Sequence, residues 1–579
     1  MSTDYKKLEE TFPHCISCTS RLAQDTCRFQ HVRTFLLDNE NKINGFYFAD
    51  HEGDDPPTPL PPAGDVTLDR CLAQQTKVMA ARALASGIRD ELESMRRSGV
   101  VYMPMGGKAT CDRCRGSIFL SSRMCILCGR ALCTECFAQV ELLTVLPPGG
   151  SQRELDGRWE AFSVRNPKFL DCLKASIRHS ATDFVLVSKI NRATVATALS
   201  DMEHLLRYEP SETAAPRASD AVISDHTSTS GSSKANCISN GSNFDLPTRT
   251  IQQFKESDLT EVIFRTLWAQ GNPLLVTELV RKLKMNWSPE YFAQKFDSEH
   301  CNTIECQTEV NRWITVNEFF ANFGRYDGRE QCWKLQNFPP PSVKLTLSDF
   351  RSALPELYAD LAQALPLPNY VCAEGVQNIA SHFLFNSDEP DLGPTMDVAY
   401  ANRTVAHSKG SVRLHMDRAD TLNIIVFAAP DPDGREGRAA WDLFRAQDSD
   451  KVQQFLLTKL RTHRPPNPMH TNQAYLDDAA RHDLWQQYGV KSYRVYQKAG
   501  DVVFIPAGCA YQVCNLSDCI SVTTGFVPAE GIKRCEELAR EVTLFNRTNN
   551  WKNPVLPLRD IMWAAWLACC RQEKLLASN

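Results

Sequence analysis

Three Cys-x-x-Cys pairs follow one another within residues 111–136, and they constrain the fold of this chain more than any other feature of its sequence. Thiolates at this spacing are typical of tetrahedral Zn²⁺ sites. Six thiolates exceed the four ligands of one ion, so a second ion needs two more, and the nearest candidates are Cys172 and His179. The eight predicted ligands of two interleaved zinc sites are Cys111, Cys114, Cys125, Cys128, Cys133, Cys136, Cys172 and His179. Because closed four-ligand sites keep no open position for catalysis, the alternative role of this unit is to hold the fold.

A second group of possible zinc ligands lies near the start of the chain. Its members, spaced C-x2-C-x8-C-x3-H, are Cys15, Cys18, Cys27 and His31. His14 competes as the fourth ligand. A single CxxC pair is common and the remaining spacing is loose, so the alternative is a set of scattered buried cysteines.

Composition limits the class of protein. The N-terminal residues, MSTDYKKLEE, lack the apolar run of a signal peptide, and no segment approaches the roughly 18 apolar residues of a membrane helix. We therefore expect a soluble intracellular protein without a membrane partner, in which the 22 cysteines are reduced and the clustered ones bind metal. The net charge of -5 argues against a surface that coats nucleic acid, although it leaves a local basic patch open.

Two segments of biased composition separate the predicted domains. Residues 53–64 are rich in proline, which neither continues a helix nor donates to a strand ladder. Residues 209–245 are rich in Ser, Thr, Asn and Gly, so they bury too little apolar surface to offset the entropy of ordering. The predicted organisation is a Cys/His zinc-binding segment at 1–52, a Pro-rich linker at 53–65, a helix with the CxxC region at 66–205, a disordered Ser-rich linker at 206–250 and a C-terminal domain at 251–579.

Apolar periodicity predicts the main elements. Leu84, Ile88, Leu92 and Met95 recur at helical spacing and predict an amphipathic helix over 66–98. After residue 251, short strands and helices alternate. The runs NIIVFAAP and DVVFIPAG read as central strands of a double-stranded β-helix, separated by a helical insert around 438–489. The tail at 530–574 reads as helices, and we expect its apolar segment at 561–570 to pack on the barrel.

One stretch places two metal-binding side chains together. In residues 411–430, SVRLHMDRADTLNIIVFAAP, His415 and Asp417 stand two apart and therefore point to the same face of an extended backbone. An imidazole and a carboxylate supply two of the three ligands that hold non-haem Fe(II) in oxygenases. The third ligand should come from a distant partner strand, within residues 500–526, GDVVFIPAGCAYQVCNLSDCISVTTGF. For an isolated HxD pair, the alternative is a hydrogen-bonded pair inside a barrel.

These stretches resemble a known family. LHMD followed by Asn423 and an apolar strand, and GDVVFIPAG followed by QV, NL and C, are similar to the JmjC domain of the lysine demethylase 3 group, which includes the hairless-type proteins. GNPLLV, LPLPNY, DLGPTMDVAY and QYGV occur in the order that this group uses, so the resemblance covers most of residues 255–545. The chain is thereby identified as a degenerate, fungal-type or otherwise divergent member. The resemblance implies an α+β fold: a JmjC double-stranded β-helix, or cupin-like barrel, with flanking helices and an N-terminal zinc-binding region.

The resemblance also implies the roles of single residues. In this group Fe(II) and 2-oxoglutarate support removal of methyl groups from lysine. His415 and Asp417 match the first two iron ligands, and Asn423 matches a residue beside 2-oxoglutarate. Tyr511 stands where the group has its third ligand, a histidine, and a phenol with a pKa near 10 must lose its proton to bind a metal well. Asp431 or Pro432 stands where the group has a lysine that pairs with 2-oxoglutarate.

The resemblance implies a nuclear chromatin regulator that engages histone tails and other chromatin proteins, and the departures predict that its catalytic centre is impaired. One alternative is an active Fe(II)/2-oxoglutarate-dependent demethylase of histone H3 lysine 9. Another is a zinc-finger/JmjC scaffold that forms a homodimer. Side chains that would rescue the active site, as a replacement cation or third ligand, are Arg413, Arg418, Arg435, Cys509 and Cys514.

Overall fold

The structure is a computed structural model of the chain. It describes residues 14–19, 27–30, 32–40, 42–48, 68–102, 110–164, 166–172, 177–208, 246–336, 338, 350–382, 392–402, 408–460, 467–548 and 552–578. The predicted linker at 53–65 and most of the one at 206–250 lie outside these residues. Among the described helices, none combines the length and the apolar character that crossing a bilayer requires.

The described N-terminal part contains a hairpin, a small sheet and long helices. The hairpin pairs β1 (Arg33–Leu37) with β2 (Ile43–Phe48). The strands of the small sheet are β3 (Val100–Tyr102), β4 (Ser121–Cys125), β5 (Ala131–Leu132) and β6 (Phe184–Ser188). They lie in the order β3-β6-β4-β5. The helices are α1 (Arg70–Arg97), α2 (Thr134–Thr144), α3 (Gln152–Ser163) and α4 (Arg192–Tyr208).

Helix α1 forms where the apolar periodicity predicts a helix. The Asp69 side chain caps its first turn by accepting a hydrogen bond from the Leu72 N–H over 2.8 Å. Leu84, Ile88 and Leu92 are buried along one face. The prediction over 66–98 is therefore confirmed, with the helix beginning at Arg70 and ending at Arg97.

The C-terminal part is built on two sheets. Their strands are β7 (Gln252–Lys255), β8 (Leu274–Thr277), β9 (His300–Glu305), β10 (Asn311–Thr315), β11 (Trp333–Gln336), β12 (Thr395–Ala399), β13 (Val412–His415), β14 (Asp420–Ala428), β15 (Arg438–Phe444), β16 (Tyr493–Lys498), β17 (Val502–Ile505), β18 (Ala510–Asn515) and β19 (Cys519–Phe526). Among the described residues, the larger sheet has nine strands in the order β10-β9-β11-β12-β19-β14-β17-β8-β7, and the smaller has four in the order β13-β18-β15-β16. The two predicted central strands, β14 and β17, pair directly with Thr421 opposite Ile505.

The two sheets face each other across a shared apolar cluster. Ile425 and Val503 from the larger sheet pack in it with Trp441, Tyr511 and Val513 from the smaller one. Helices cover the other face of the larger sheet. The described helices of this part are α5 (Glu261–Trp268), α6 (Pro289–Lys295), α7 (Val316–Ala321), α8 (Phe350–Ala353), α9 (Pro355–Ala364), α10 (Pro368–Val371), α11 (Ser449–Lys459), α12 (Asp478–Tyr488), α13 (Ile532–Thr548) and α14 (Leu558–Ser578). Mixed sheets and helices in this arrangement fit the predicted α+β, cupin-like fold.

The predicted helical insert at 438–489 is wrong in its first part. Residues Arg438–Phe444 form strand β15, which pairs with β16 and β18. Its side chains alternate, so that Trp441 and Leu443 enter the apolar cluster while Asp442 pairs with Arg481 and Arg494. That period of two favours a strand. The remainder of the insert contains the predicted helices, α11 and α12.

The apolar tail segment at 561–570 lies in helix α14, but its main partner differs from the predicted one. Helix α14 packs chiefly on α1 and on the 3-10 helix Ile379–His382, rather than on the strands of the barrel. Ile561 and Trp566 share an apolar cluster with Leu84 and Ile88 of α1. The C-terminal helix therefore joins the N-terminal part of the chain to the C-terminal part.

Candidate functional site

A cavity of about 250 Å³ lies between the two sheets of the C-terminal part. His415 at the end of β13, Asp417 in the following turn, and Tyr511 on β18 meet at its wall. The pairing of β13 with β18 places His415 directly opposite Tyr511, with ring centroids 4.4 Å apart. Antiparallel strand pairing thus brings together three side chains that the sequence separates widely.

The His415 ring is oriented by the backbone of its own strand. Its Nδ1 lies 2.7 Å from the carbonyl oxygen of Arg413 and donates to it, because a carbonyl oxygen only accepts. The other nitrogen, Nε2, lies 3.7 Å from Oδ1 of Asp417. This tautomer leaves the lone pair of Nε2 directed toward the carboxylate, as in metal-binding histidines whose second nitrogen bonds a carbonyl.

Tyr511 acts as a hydrogen-bond donor to Asp417. Its hydroxyl donates to Oδ2 over 2.7 Å, and the Thr421 hydroxyl donates to the same oxygen over 2.9 Å. Burial raises the pKa of Tyr511 well above its ordinary value, and the negative charge of Asp417 raises it further. The phenol is therefore neutral at physiological pH, and its proton is committed to the carboxylate.

The residues at this point do not complete an iron site. The facial triad needs three deprotonated ligand atoms around an open face. His415 and Asp417 offer two such atoms, whereas Tyr511 offers a protonated oxygen that occupies one oxygen of Asp417. The donor set therefore fits a hydrogen-bonded triad better than Fe(II).

Asn423 lies deeper in the same cavity, on strand β14. Its Nδ2 donates to the Thr523 hydroxyl over 2.9 Å and to the Ser521 hydroxyl over 3.3 Å. Its Oδ1 is buried and has no hydrogen-bond partner among the described residues. Because a buried polar atom without a partner is costly, this oxygen is a natural contact for the donor group of a ligand or a water molecule.

Lys334 is a cavity residue that sequence reasoning missed. It extends from strand β11, and its Nζ donates to the carbonyl oxygen of Ser411 over 3.3 Å. It lies near Asp397, another cavity residue, and its positive charge acts to lower the pKa of that carboxyl. In the sequence, Lys334 is one polar residue in a short apolar stretch. That pattern does not indicate that β11 lies beside residues 411–430.

Asp431, which stands at the position of the group's lysine, does not point into the cavity. It accepts hydrogen bonds from the backbone N–H groups of Asp433 and Arg435, over 2.9 and 2.8 Å, within an exposed turn. The Asp431 carboxylate therefore closes a turn outside the cavity lining and does not face a ligand bound in the cavity.

Four of the five predicted rescuing side chains, all except Arg418, have described contacts elsewhere. Arg413 pairs with Glu309, and Arg435 pairs with Asp433 over 3.1 Å. The thiol of Cys514 lies 3.9 Å from the carbonyl oxygen of Asn402, on the opposite face of β18 from Tyr511. Cys509 is buried beside the carbonyl oxygen of Gly271 at 3.8 Å. Neither thiol is positioned as a replacement ligand.

The cysteine pairs of the N-terminal part form two separate groups. In each group the four ligand atoms lie within 4.8 Å of one another. The first group is Cys111, Cys114, Cys133 and Cys136, and the second is Cys125, Cys128, Cys172 and His179. The first and third CxxC pairs thus share one group, while the second pair joins the two distal residues. This alternation is the geometry of interleaved zinc sites.

A guanidinium lies near the first group. Hydrogen bonds among the four thiols lower the pKa of Cys111 but raise the pKa values of Cys133 and Cys136, so the group as a whole needs a cation to hold several thiolates. Arg547 of helix α13 is partly buried, which opposes its charge, but Cys136 and Glu135 raise its pKa nonetheless. Four thiolates around Zn²⁺ carry a net charge of -2, so a nearby guanidinium suits an occupied site.

The predicted N-terminal group is described in part. Cys15 lies 3.5 Å from Cys18 and 3.9 Å from Cys27, measured between sulfur atoms. These three residues form a potential metal-binding group, whereas the predicted fourth ligand, His31, lies outside the described residues.

Comparison with known proteins finds a domain family that matches the segment carrying the cavity residues. A family model described as JmjC domain, hydroxylase matches residues 413–526, which contain His415, Asp417, Asn423 and Tyr511. Lysine-specific demethylase 3A of Mus musculus is 31% identical over 348 residues, which cover 52% of this chain and 26% of the mouse protein.

Two further relatives extend the comparison. Lysine-specific demethylase 3 of Drosophila melanogaster is 31% identical over 356 residues, covering 53% of this chain and 40% of the fly protein. A human protein named probable JmjC domain-containing histone demethylation protein 2C is 27% identical over 360 residues, covering 54% of this chain and 14% of the relative. The chain thus spans less than half the length of these relatives. It contains a JmjC domain and is related, over half of its length, to the lysine-specific demethylase 3 proteins.

Proposed function

We propose that this protein is a nuclear chromatin regulator whose JmjC domain binds its target without oxidising it. The relatives are named as lysine-specific and histone demethylases, which supports a histone tail as the target and the nucleus as the compartment. The observation that supports the absence of oxidation is the 2.7 Å hydrogen bond from the Tyr511 hydroxyl to Asp417.

Two physical terms oppose iron binding at this point. Tyr511 is buried beside a carboxylate, so ionising its phenol requires a second negative charge next to the first. Without that ionisation, the described residues at this point offer Fe(II) His415 and Asp417, and Asp417 must first give up a hydrogen bond. When bound in a complete triad, Fe(II) would supply oxygen activation with 2-oxoglutarate, and Tyr511 stands where that triad needs its third ligand.

The three cysteine groups form the second part of the proposal. We assign zinc to the groups that contain Cys111, Cys125 and Cys15, because their thiol sets match the soft ligands that Zn²⁺ prefers. The zinc-binding part then holds a rigid surface beside the barrel for histone tails or other chromatin proteins. A role as a homodimeric scaffold remains a prediction from the family resemblance.

A single substitution tests whether the side chain at position 511 prevents iron binding. The full chain with Tyr511→His should bind Fe(II) at one ion per chain and gain at least tenfold in affinity over wild type, because one imidazole completes the triad. Anaerobic titration with Fe(II), read by metal analysis after gel filtration, measures this change. Tyr511→Phe is the matched control, since it removes the same hydrogen bond but adds no ligand.

An assay of the demethylation reaction can contradict the proposal. Wild type incubated with Fe(II), 2-oxoglutarate and a dimethyl-lysine histone H3 peptide should release no formaldehyde above a sample without enzyme. Formaldehyde release by wild type, lost in His415→Ala, would refute the proposed loss of oxidation and establish the second candidate, an active demethylase. Lys334 in the cavity favours that candidate, because it offers a cation to an anionic cosubstrate.

A further inference from the structure

Two cysteines outside the three metal-type groups stand directly opposite each other on neighbouring strands. Strands β9 and β11 are antiparallel, with Trp333 opposite Glu305. One step further along the same register, Cys332 lies opposite Cys306, and the Cys306 N–H donates to the Cys332 carbonyl oxygen over 2.8 Å. Side chains of directly opposed residues share one face of a sheet, with Cβ atoms about 4.5–5.5 Å apart.

This spacing is suitable for a disulfide. Directly opposed residues have Cα atoms about 4.5–5.5 Å apart, and disulfides span Cα distances of about 4.4–6.8 Å. Both thiols are free in the structure and buried, with 6% of Cys306 and 3% of Cys332 exposed. A bond between them therefore needs side-chain rotation and a small approach of two strands that are already paired.

The pair adjoins the cavity. The Cys306 thiol lies 4.0 Å from the Ser411 carbonyl oxygen, and the same oxygen accepts from Lys334 over 3.3 Å. Ser411 and Lys334 both line the cavity, so a small solute that enters it comes within one residue of Cys306.

Charged groups beside the pair favour the thiolate of Cys306. A hydrogen bond from Cys332 and the charges of Lys334 and Arg413 lower the pKa of Cys306 against the effect of burial. Burial instead raises the pKa of Cys301, the neighbouring cysteine on β9, to about 11. Thiolate character governs cysteine oxidation, so Cys306 should react first.

We propose that Cys306 and Cys332 are a peroxide-sensitive dithiol that closes to a disulfide directly behind Ser411 and Lys334, two residues that line the cavity. The Cys306 thiolate attacks hydrogen peroxide, so that an S–O bond forms, the O–O bond breaks and water leaves once protonated. The Cys332 sulfur then attacks the sulfenic acid, an S–S bond forms, the S–O bond breaks and a second water leaves. The two thiols lose two electrons and two protons, and one peroxide becomes two waters. The disulfide fastens β9 to the strand that carries Lys334.

Peptide mapping of the full-length protein tests this proposal. The zinc-loaded, reduced chain is treated with a few equivalents of hydrogen peroxide, alkylated, digested without reductant and analysed by mass spectrometry. The Cys306–Cys332 linked peptide should form in at least tenfold excess over any other linkage outside the metal-type groups. A dithiol reductant should return it to two free thiols.

Cys301 provides a matched control, because it lies on the same strand and is equally buried but is not placed opposite another cysteine in the described sheet. Cys301→Ser should keep the linkage, whereas Cys306→Ser and Cys332→Ser should each abolish it while circular dichroism and zinc content stay as in wild type. If either serine variant fails to fold, the tandem spectra of wild type still locate the linked residues. Absence of the linked peptide at doses that oxidise Cys71, or an equal mixture of linkages through Cys301 and Cys306, would overturn the proposal.

Discussion

The cysteine groups and the cavity lined by His415, Asp417 and Tyr511 are both candidate metal centres, but their donor atoms differ in whether they already form hydrogen bonds with one another. In the group of Cys111, four sulfur atoms converge within 4.8 Å on a space that they alone define. In the cavity, two ligand atoms converge and the third position carries a proton that bonds to one of them. In the first arrangement, four sulfur atoms of one group would share their charge with a bound Zn²⁺. The second is already balanced, because the Tyr511 proton and Thr421 satisfy the carboxylate of Asp417.

This difference shows that proximity of potential ligands does not make a metal site. Metal affinity depends on donors that can lose their protons and on the absence of stronger competing bonds. Cysteine thiols ordinarily titrate near about 8.5 and give up their protons to Zn²⁺ readily. A buried phenol beside a carboxylate does not, because burial and the charge of Asp417 both raise its pKa.

Cys136→Ser should have the largest effect. Zinc in comparable structural sites contributes about 10–16 kcal/mol, which is as large as the roughly 5–15 kcal/mol that stabilises a typical domain. We expect the variant to lose one zinc ion per chain and to unfold its N-terminal part, while the barrel strands persist. Metal analysis and hydrogen exchange measure the two effects.

Cys71→Ser is the control for that prediction, because Cys71 is exposed on helix α1 and belongs to no metal-type group of the described chain. It should keep the zinc content and the exchange pattern of wild type. If Cys136→Ser retained full zinc, the comparison between the two regions would lose its basis.

Asn546→Ala should weaken the contact between the two regions. The Asn546 side chain is fully buried on α13, donates to the carbonyl oxygens of Cys114 and Asn553 at 2.8 Å, and accepts from the Asn553 N–H. Losing these bonds leaves buried carbonyl groups without partners, so we expect a cost of about 2–4 kcal/mol. Denaturant unfolding measures it, and zinc should leave at lower chelator concentration.

Arg540→Ala offers a control on the same helix, since Arg540 is exposed. It should change the free energy of unfolding by less than about 0.5 kcal/mol. Equal effects of the two substitutions would mean that Asn546 does not couple the cysteine group to the barrel.

Asp501→Asn should show that acidification stabilises the barrel at this residue, whereas acidification weakens the zinc groups. Burial raises the pKa of Asp501 to about 6, whereas an unfolded aspartate titrates near 4. The folded state therefore binds this proton more tightly, and wild type loses stability as pH rises from about 4 to about 6. Asparagine mimics the protonated acid, so the variant should lack this loss and exceed wild type by about 1–2 kcal/mol above pH 6, after allowance for solvent screening.

Unfolding curves of both proteins between pH 4 and 7.5 test this expectation. Zinc release on acidification affects both proteins alike, because protonated thiols do not bind the ion. The difference between the two curves therefore isolates the carboxyl group. A constant difference across the range would show that the pKa of Asp501 is not raised by folding.

The sequence alone determined the elements whose signals are local. The CxxC spacing fixes pairs of ligands within a few residues of chain, and the period of Leu84, Ile88 and Leu92 specifies helix α1. The two-residue spacing of His415 and Asp417 likewise places both near one cavity wall. The family resemblance added the barrel and identified Tyr511 as the departure.

Tertiary structure decided which distant groups meet. Only the fold shows that the first CxxC pair joins the third, that Tyr511 donates to Asp417, and that Lys334 reaches the cavity from β11. In the fold, the start of the predicted insert is strand β15, and helix α14 packs on α1. The physical reason is that strand register and helix packing depend on the whole buried surface, whereas residue spacing records only what lies within one or two turns of chain.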